Sequence, residues 1–121
     1  MNATASRNDF LDRLKESSEV KITVRGRKTK KRFSTPVWFA LDGRKVILVP
    51  MKGSDSNWYK DLEKDPQIEL SVDNIVIPFR ATLVRDPNQT NKAIEKLREK
   101  YKSMWSESYY TKRDVSVEVP V

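Results

Sequence analysis

The feature that most constrains the fold is a series of three apolar segments joined by short connections. Residues 20–25 alternate apolar and polar side chains, which predicts a half-buried strand. A second strand is predicted over residues 33–41 and a third over residues 45–49, and the Asp42-Gly43 pair between them is typical of a tight hairpin turn. Connections this short predict an antiparallel meander rather than a crossover fold.

The second half of the chain adds three more predicted strands, for a total of about six. Residues 68–72 and 75–84 form two of them, turned at Asp73-Asn74, and residues 115–119 alternate as the last one. The sequence therefore predicts a sheet protein whose helices are inserted between strands.

About three helices are predicted from capping residues and apolar spacing. Ser6 caps a helix within residues 1–18, Ser56 caps a short helix that stops before Pro66, and Asp86 caps a longer helix. The apolar face of this last helix is predicted to hold Ile94, Leu97, Tyr101 and Met104.

These elements place the chain in the α+β class, with six mostly antiparallel strands. A small barrel removes sheet edges economically at this size, and an open sheet covered by helices is the alternative. A length of 121 residues predicts one domain over residues 1–121. No segment reaches the ~20 apolar residues of a membrane span, so we expect a cytoplasmic protein.

The positive charge is concentrated in one short segment, which we call the basic turn. The chain has 24 Lys and Arg against 17 Asp and Glu, and residues 25–32 contain six basic residues and no acid. The segment is predicted to be a solvated hairpin tip or an anion site. Nucleic-acid binding is a third interpretation, because Lys and Arg clusters contact phosphates.

The absence of two residue types limits the chemistry. The chain has no His and no Cys, which excludes a Ser-His-Asp triad, a disulfide framework and a zinc site built from these ligands. We expect no metal site. The sequence also lacks the glycine-rich phosphate motifs of nucleotide-binding proteins. A binding protein, or an enzyme whose cofactor performs the difficult step, is therefore favoured.

Several short motifs carry more information than composition. They read GRKT at residues 26–29, STPVWF at 34–39, VPMKGS at 49–54 and WYKDL at 58–62. Together they resemble the deazaflavin-dependent nitroreductase and quinone reductase family, within the flavin-binding split β-barrels related to pyridoxamine 5'-phosphate oxidase. Residues 109–119 are also similar to the closing segment of compact members.

The resemblance implies a fold, a cofactor and a reaction. We expect a six-stranded split β-barrel that forms a homodimer, with the cofactor near the subunit interface. The implied cofactor is the deazaflavin coenzyme F-420, with FMN as the alternative. The implied activity is that of an oxidoreductase that transfers a hydride to a quinone-like or nitroaromatic small-molecule acceptor.

The resemblance also implies roles for individual residues. Arg27, Lys28 and Thr29 are expected to bind the anionic arm of the cofactor, and Tyr109 and Tyr110 to lie on the substrate side. The other implied cofactor-binding residues are Pro36, Val37 and Trp38 along the ring, Pro50, Met51, Lys52, Gly53 and Ser54 in the loop beside it, Ser56 at the phosphate position of FMN-type barrels, and Trp58 and Lys60 at the closing wall.

The chain departs from the family pattern at a few of these positions. Lys30 stands where members usually have Gly, Phe33 where they have Arg, and Asp61 and Asp65 where they often have Asn. Two non-enzymatic alternatives stay open at this point. One is a carrier of a flavin or deazaflavin, and the other is a nucleic-acid-binding module that uses the basic turn.

Overall fold

The structure, a computed structural model, describes the backbone of residues 3–121 and the side chains from residue 7 onward. It contains three helices and eight short strands within those residues. The helices are α1 (Ala3–Lys15), α2 (Asn57–Lys64) and α3 (Pro87–Lys100), and the strands are β1 (Val20–Arg25), β2 (Arg32–Val37), β3 (Ala40–Asp42), β4 (Lys45–Leu48), β5 (Gln67–Val72), β6 (Ile75–Arg80), β7 (Thr82–Val84) and β8 (Ser116–Pro120).

The strands form two four-stranded antiparallel sheets. Their orders are β2-β1-β5-β6 and β3-β4-β8-β7. The α+β class, the antiparallel pairing and the three helices are thus confirmed. The strand count differs from the predicted six, and the described strands form two separate sheets rather than one closed barrel ladder.

The two extra strands arise because two predicted strands break and change sheets. Residues 33–41 break at Trp38-Phe39, so that β2 pairs with β1 while β3 pairs with β4. Residues 75–84 break at Ala81, whose N–H donates to the carbonyl of Pro66 at 2.8 Å instead of to a neighbouring strand. Apolar content is continuous across both breaks, so periodicity alone predicts one long strand in each case.

The core connects both sheets to the helices. Val20, Ile22 and Val24 are buried on one face of β1, as their alternation predicts. The larger core cluster joins them to β4, β8, α1 and α2, and a smaller cluster packs α3 on the other face of β4. Because both its faces are covered, β4 is apolar throughout Val46–Leu48.

Two predicted turns and one helix start are confirmed in detail. Gly43 adopts φ +59° between β3 and β4, and Asp73 and Asn74 have φ values of 48° and 70°, as a two-residue hairpin turn requires. The carboxylate of Asp86 accepts the N–H of Asn88 at 2.9 Å, which caps α3.

Other helix predictions need correction. Helix α1 already includes Ala3, so Ser6 lies inside it rather than at its start. Ser56 does occupy the N-cap position of α2, but its hydroxyl makes no capping bond. Met104 is 54% exposed because α3 ends at Lys100, whereas the other members of the predicted apolar face are buried. No helix in the described residues has the length and apolarity needed to cross a membrane.

Candidate functional site

Two adjoining cavities lie beside β2 and form one groove. The first, which we call the turn cavity, has a volume of about 500 Å³ and lies between the basic turn and α2. The second, the aromatic cavity, has a volume of about 450 Å³ and lies between the end of β2 and the loop after β4. Thr35, Asn57 and Trp58 line both cavities, so the groove is continuous along β2.

The groove collects most of the site residues that the sequence predicted. Of these, Arg27, Lys28, Thr29 and Trp58 line the turn cavity. The aromatic cavity is lined by Pro36, Val37, Trp38, Met51, Lys52, Ser56, Trp58 and Tyr110. Pro50, Gly53, Ser54, Lys60 and Tyr109 line neither cavity.

An ion pair lies at the boundary of the turn cavity. The Arg27 guanidinium is 2.8 Å from the Asp61 carboxylate, and the backbone N–H of Arg27 donates to the same oxygen at 3.0 Å. The side chains are only 22% and 8% exposed. Arg27 also donates to the carbonyl of Asn57 at 3.3 Å. Its charge is therefore already partly compensated, which leaves Lys28 as the less constrained cation of this cavity.

Backbone bonds give the basic turn a defined shape. The N–H of Gly26 donates to the carbonyl of Lys31 at 2.8 Å, and the N–H of Lys30 donates to the carbonyl of Gly26 at 2.9 Å. Lys30 adopts φ +63°, which is the left-handed conformation that Gly accepts most readily. Arg32 pairs with Glu69 at 2.8 Å across the sheet. The turn is thus an ordered, positively charged edge of the sheet, and Lys28 and Thr29 are exposed in it.

The loop over residues 50–56 differs from its predicted role. The family resemblance implies that residues 50–54 bind the cofactor, but several backbone N–H groups of the loop already have partners within the protein. Lys52 N–H donates to the Ser56 hydroxyl at 3.1 Å, and Gly53 N–H donates to the carbonyl of Pro50 at 3.0 Å. Ser54 N–H donates to the Asp114 carboxylate at 3.0 Å. The loop therefore contacts the groove through side chains, chiefly Met51 and Lys52.

Hydrogen bonds from the C-terminal segment, residues 111–114, hold this loop in position. The Ser54 hydroxyl also bonds Asp114, and the N–H of Thr111 donates to the carbonyl of Met51 at 2.9 Å. Burial raises the pKa of Asp114, but the bonds from Ser54, a backbone N–H bond at Asp114 itself and the nearby Lys112 ammonium together hold that pKa below its usual value. Gly53 and Ser54 therefore stabilise the loop rather than line the groove. Ser56 is 8% exposed and accepts the Lys52 N–H, so its hydroxyl is partly engaged.

A cluster of aromatic side chains supports the far end of the groove. Trp38 stacks on Tyr101 with ring centroids 4.2 Å apart, and Tyr109 meets Trp38 edge-on at 5.5 Å. Tyr110 stacks on Trp105 at 5.3 Å and lines the aromatic cavity. Burial raises the pKa of Tyr110 to about 12, so its phenol is neutral at physiological pH. Tyr109 is 41% exposed and reaches the groove only through Trp38.

The end of α3 holds Trp38 in place. The Tyr101 hydroxyl accepts the N–H of Phe39 at 3.1 Å and donates to the carbonyl of Ser18 at 2.7 Å. Lys100 donates to the carbonyl of Phe39 at 3.0 Å. The N–H and the carbonyl of Phe39 lie at the break between β2 and β3, and they bond to Tyr101 and Lys100 instead of to a neighbouring strand. The break and the position of Trp38 are thus set by α3.

Lys60 lies outside the groove. It lines a third cavity of about 450 Å³, the rear cavity, together with Arg27, Glu63, Lys64 and Arg85. Only Arg27 is shared with the turn cavity. The expected contact between Lys60 and a ligand in the groove therefore has no support in this geometry.

Sequence reasoning missed several residues that shape the site. The sequence predictions gave Asp61 no role in the site, but it is 6% exposed and pairs with Arg27. Its position three residues after Trp58 in a helix was an available signal, since this spacing places both on one face. Asp114 and Tyr101 act through contacts 60 and 62 residues away along the chain, and no local pattern indicates them.

Comparison with known proteins identifies a family for nearly the whole chain. Residues 4–121 match the family described as F420H(2)-dependent quinone reductase, in which F420H(2) denotes reduced coenzyme F-420. No curated protein matches the chain. The matched region includes every residue of both cavities.

Several solved structures share the fold at low identity. An F420-H2 dependent reductase is 19% identical with a TM-score of 0.64, and the alignment covers 84% of this chain and 93% of that one. A putative 5-nitroimidazole antibiotic resistance protein from Bacteroides thetaiotaomicron is 10% identical with a TM-score of 0.69, covering 94% and 78%. A putative pyridoxamine 5'-phosphate oxidase from Listeria innocua is 12% identical with a TM-score of 0.66, covering 93% and 90%.

Proposed function

Because the chain belongs to the family of F420H(2)-dependent quinone reductases, we propose that it transfers a hydride from reduced coenzyme F-420 to a quinone-like or nitroaromatic acceptor. It is an F-420-dependent oxidoreductase by family. The acceptor class and the residues that bind each part of the cofactor are the proposed elements.

One observation carries the proposal: the groove has a cationic end and an aromatic end. Lys28 and Thr29 lie at the first, where an ammonium group and a hydroxyl are suitable donors for a phosphate or carboxylate. Val37, Trp38 and Trp58 lie at the second, where flat apolar surfaces suit a fused ring. F-420 has an anionic arm and a planar ring. The cationic end of the groove fits the arm, and the aromatic end fits the ring.

The chain's own residues bind and orient rather than react. Trp58 lines both cavities and would contact the cofactor between its arm and its ring. Lys52 lines the aromatic cavity, where its ammonium can bond a polar edge of the ring. When bound, reduced F-420 supplies the hydride, and a quinone that takes up this hydride and one proton becomes a hydroquinone.

The neutral phenol of Tyr110 is proposed to contact the acceptor molecule. This side chain is 4% exposed at the wall of the aromatic cavity, and its raised pKa keeps its proton in place. A protonated phenol can donate a hydrogen bond to a quinone or nitro oxygen. Tyr109 supports the same wall through its contact with Trp38.

An anaerobic turnover assay tests the reaction. Purified protein is mixed with reduced F-420 and a soluble naphthoquinone or nitroaromatic, and the formation of oxidised F-420 is followed by absorbance. We expect turnover well above the uncatalysed rate with at least one acceptor, and a raised KM for reduced F-420 in Lys28→Gln. The matched control is Lys92→Gln, an exposed lysine of α3.

Three results would each contradict a part of the proposal. If reduced F-420 is oxidised only at the uncatalysed rate with both acceptor classes, the protein does not catalyse the proposed hydride transfer. A protein that binds FMN but not F-420 would replace the cofactor with the alternative implied by FMN-type relatives. Equal KM values in Lys28→Gln and Lys92→Gln would remove the assignment of the anionic arm to the turn cavity.

We also propose that the protein is a homodimer that uses β2 in its interface. Every residue from Arg32 to Pro36 is exposed, although β2 pairs with β1 on one side, and Phe33 is 52% exposed. An unpaired edge strand with an exposed aromatic side chain favours contact with another chain. A solved structure of a domain-swapped dimer is 17% identical with a TM-score of 0.62, covering 98% of this chain and 99% of that one.

Molar mass in solution tests this assembly. Light scattering coupled to size exclusion is expected to give twice the 14.1 kDa of one chain. Phe33→Lys is expected to shift the mass toward the monomer, whereas Val76→Lys, at an exposed residue of β6, serves as the control. A monomeric wild-type protein would contradict the proposal.

A further inference from the structure

The rear cavity is the strongest feature that the proposed reaction does not use. It has a volume of about 450 Å³, and the side chains of Arg27, Lys60, Glu63, Lys64 and Arg85 line it. Every lining residue is charged, four are basic and one is acidic. A cavity with this composition favours anions, because cations within a few ångströms of one another repel unless counter-charge lies between them.

The ion pairs around the cavity leave its lysines as the principal free charges. Arg27 pairs with Asp61 at 2.8 Å, and Arg85 pairs with Glu63 at 3.2 Å. Among the described residues, neither Lys60 nor Lys64 lies within ion-pair distance of a carboxylate. These two lysines are four residues apart in α2, so they lie on one face of the helix.

The Arg27–Asp61 pair separates the rear cavity from the groove. Arg27 lines both the turn cavity and the rear cavity, and it is the only residue they share. The carboxylate that lines the rear cavity is Glu63, which pairs with Arg85, whereas Asp61 lines the turn cavity and not the rear cavity. An anion can therefore approach Lys60, Lys64 and Arg85 without passing Asp61.

We propose that the rear cavity is a second anion-binding site, for a ligand that carries two or more phosphate or carboxylate groups. Its volume exceeds that of a single phosphate, and its cations come from α2, the basic turn and the residue after β7. Lys60 and Lys64 supply flexible ammonium groups, and the guanidinium of Arg85 supplies a planar donor.

The same chemistry has two possible sources. The ligand can be a free polyvalent anion, or it can be the anionic arm of the cofactor in the groove, extended past Arg27. If the ligand is a free anion, the site is independent of the proposed function. If the ligand is the arm of the cofactor, the site rests on the proposed function and adds a binding site for that arm. Inorganic pyrophosphate is a suitable probe, because its binding can be measured on the protein without any cofactor.

Calorimetric titration with pyrophosphate at low salt tests the site. The wild-type protein is expected to bind it, and the double variant Lys60→Gln/Lys64→Gln is expected to bind about tenfold more weakly after losing two nearby charges. The control is Lys92→Gln/Lys96→Gln, which removes two exposed lysines with the same spacing from α3. Arg85→Gln provides an independent variant and is expected to weaken binding as well.

The result that overturns the site is the absence of pyrophosphate binding, or an equal loss of affinity in the two double variants. Titration with F-420 then separates the two sources. Competition between F-420 and pyrophosphate, together with weaker F-420 binding in Lys60→Gln/Lys64→Gln, identifies the cofactor's arm as the occupant. Simultaneous binding of both identifies a separate anion. Because the pyrophosphate titration uses no cofactor, a protein that fails to bind F-420 leaves this test intact.

Discussion

Asp61 is the residue whose environment most affects the candidate site. It accepts both the guanidinium and the backbone N–H of Arg27, and it lies almost fully buried between α2 and the basic turn. A carboxylate in this position orients the start of the turn and lowers the net positive charge at the cationic end of the groove. The affinity of this end for anions therefore depends on the balance between Asp61 and the cations around it.

Removal of this carboxylate is expected to destabilise the fold. In Asp61→Ala the Arg27 side chain, which is only 22% exposed, loses its counter-charge, and the free energy of unfolding should fall by about 2–4 kcal/mol. Urea unfolding measures the change. The control is Asp9→Ala, whose partner Arg13 is 44% exposed, and its effect should stay below about 1 kcal/mol. Similar losses in both variants would contradict the assigned role of Asp61.

The environment of Lys100 predicts how the free energy of unfolding depends on pH. Burial lowers its pKa from 10.5 to about 8, while its amine bonds the carbonyl of Phe39. Between about pH 8 and pH 10.5, Lys100 is protonated in the unfolded chain but has lost its proton in the folded chain. The free energy of unfolding therefore rises with pH across this range. Below about pH 8 both states are protonated and its contribution is constant.

The comparison with a variant that does not titrate isolates this effect. The unfolding free energy of the wild type relative to Lys100→Met should increase as the pH rises through the range from about 8 to 10.5. Urea titrations of both proteins across that range measure it. A difference that stays flat or decreases with pH would contradict the assigned environment of Lys100.

Residue-scale roles were predictable from sequence only where the partner is close along the chain. Asp86 caps α3 through a residue two positions away, and its role was predicted correctly. Tyr101 was predicted to be a core residue of α3, and it is buried, but its bonds to Ser18 and Phe39 depend on tertiary packing. No spacing rule reaches across such distances.

The loop between β4 and α2 is the element that most needs outside support. Residues 50–56 form a compact turn, and the N–H groups of residues 52–56 bond within the loop or to Asp114. Gly53 allows this arrangement, because it adopts φ +56° and its Cα faces the Asp114 carboxylate and the backbone of Lys112. The C-terminal segment thus determines where Met51 and Lys52 enter the groove.

Gly53→Ala tests this support against a matched control. Gly43 has nearly the same backbone, φ +59°, but nothing lies within 4 Å of the position of an added Cβ. Gly43→Ala should therefore lower the unfolding free energy by only about 1 kcal/mol, from the left-handed backbone alone. Gly53→Ala adds contact with Asp114 and the Lys112 carbonyl, for a total of about 2–4 kcal/mol. Thermal or urea unfolding that shows equal losses would contradict the close packing of this loop.

Element type was predictable where the local signal was strong, and sheet membership was not. The alternation at Val20, Ile22 and Val24 predicted β1 because period-two burial is a local property. The breaks at Trp38-Phe39 and Ala81 were missed because their backbone groups bond to Tyr101 and Pro66, which lie elsewhere in the sequence. These breaks convert six predicted strands into eight and one expected barrel into two sheets.

At the scale of the whole molecule, the two sheets and three helices place a cationic turn and an aromatic cluster at opposite ends of one groove. The resemblance in residues 26–39 and 49–62 identified the family, and the match over residues 4–121 confirms it. The assignment of one domain, the cytoplasmic location and the individual ligand contacts stay predictions. A ligand contact depends on which side chains are left unpaired after folding, and Arg27 and Ser54 are both paired.

The groove is proposed to bind coenzyme F-420 across both of its cavities, with Trp58 at their junction. Titration of F-420 fluorescence with purified protein tests it most directly. The wild-type protein is expected to quench the fluorescence with a dissociation constant in the micromolar range, and Trp58→Ala is expected to bind about tenfold more weakly. The control is Val76→Ala, at an exposed apolar residue of β6 that lines neither cavity. Absence of quenching by the wild type, or equal affinity in Trp58→Ala and the wild type, would contradict the account.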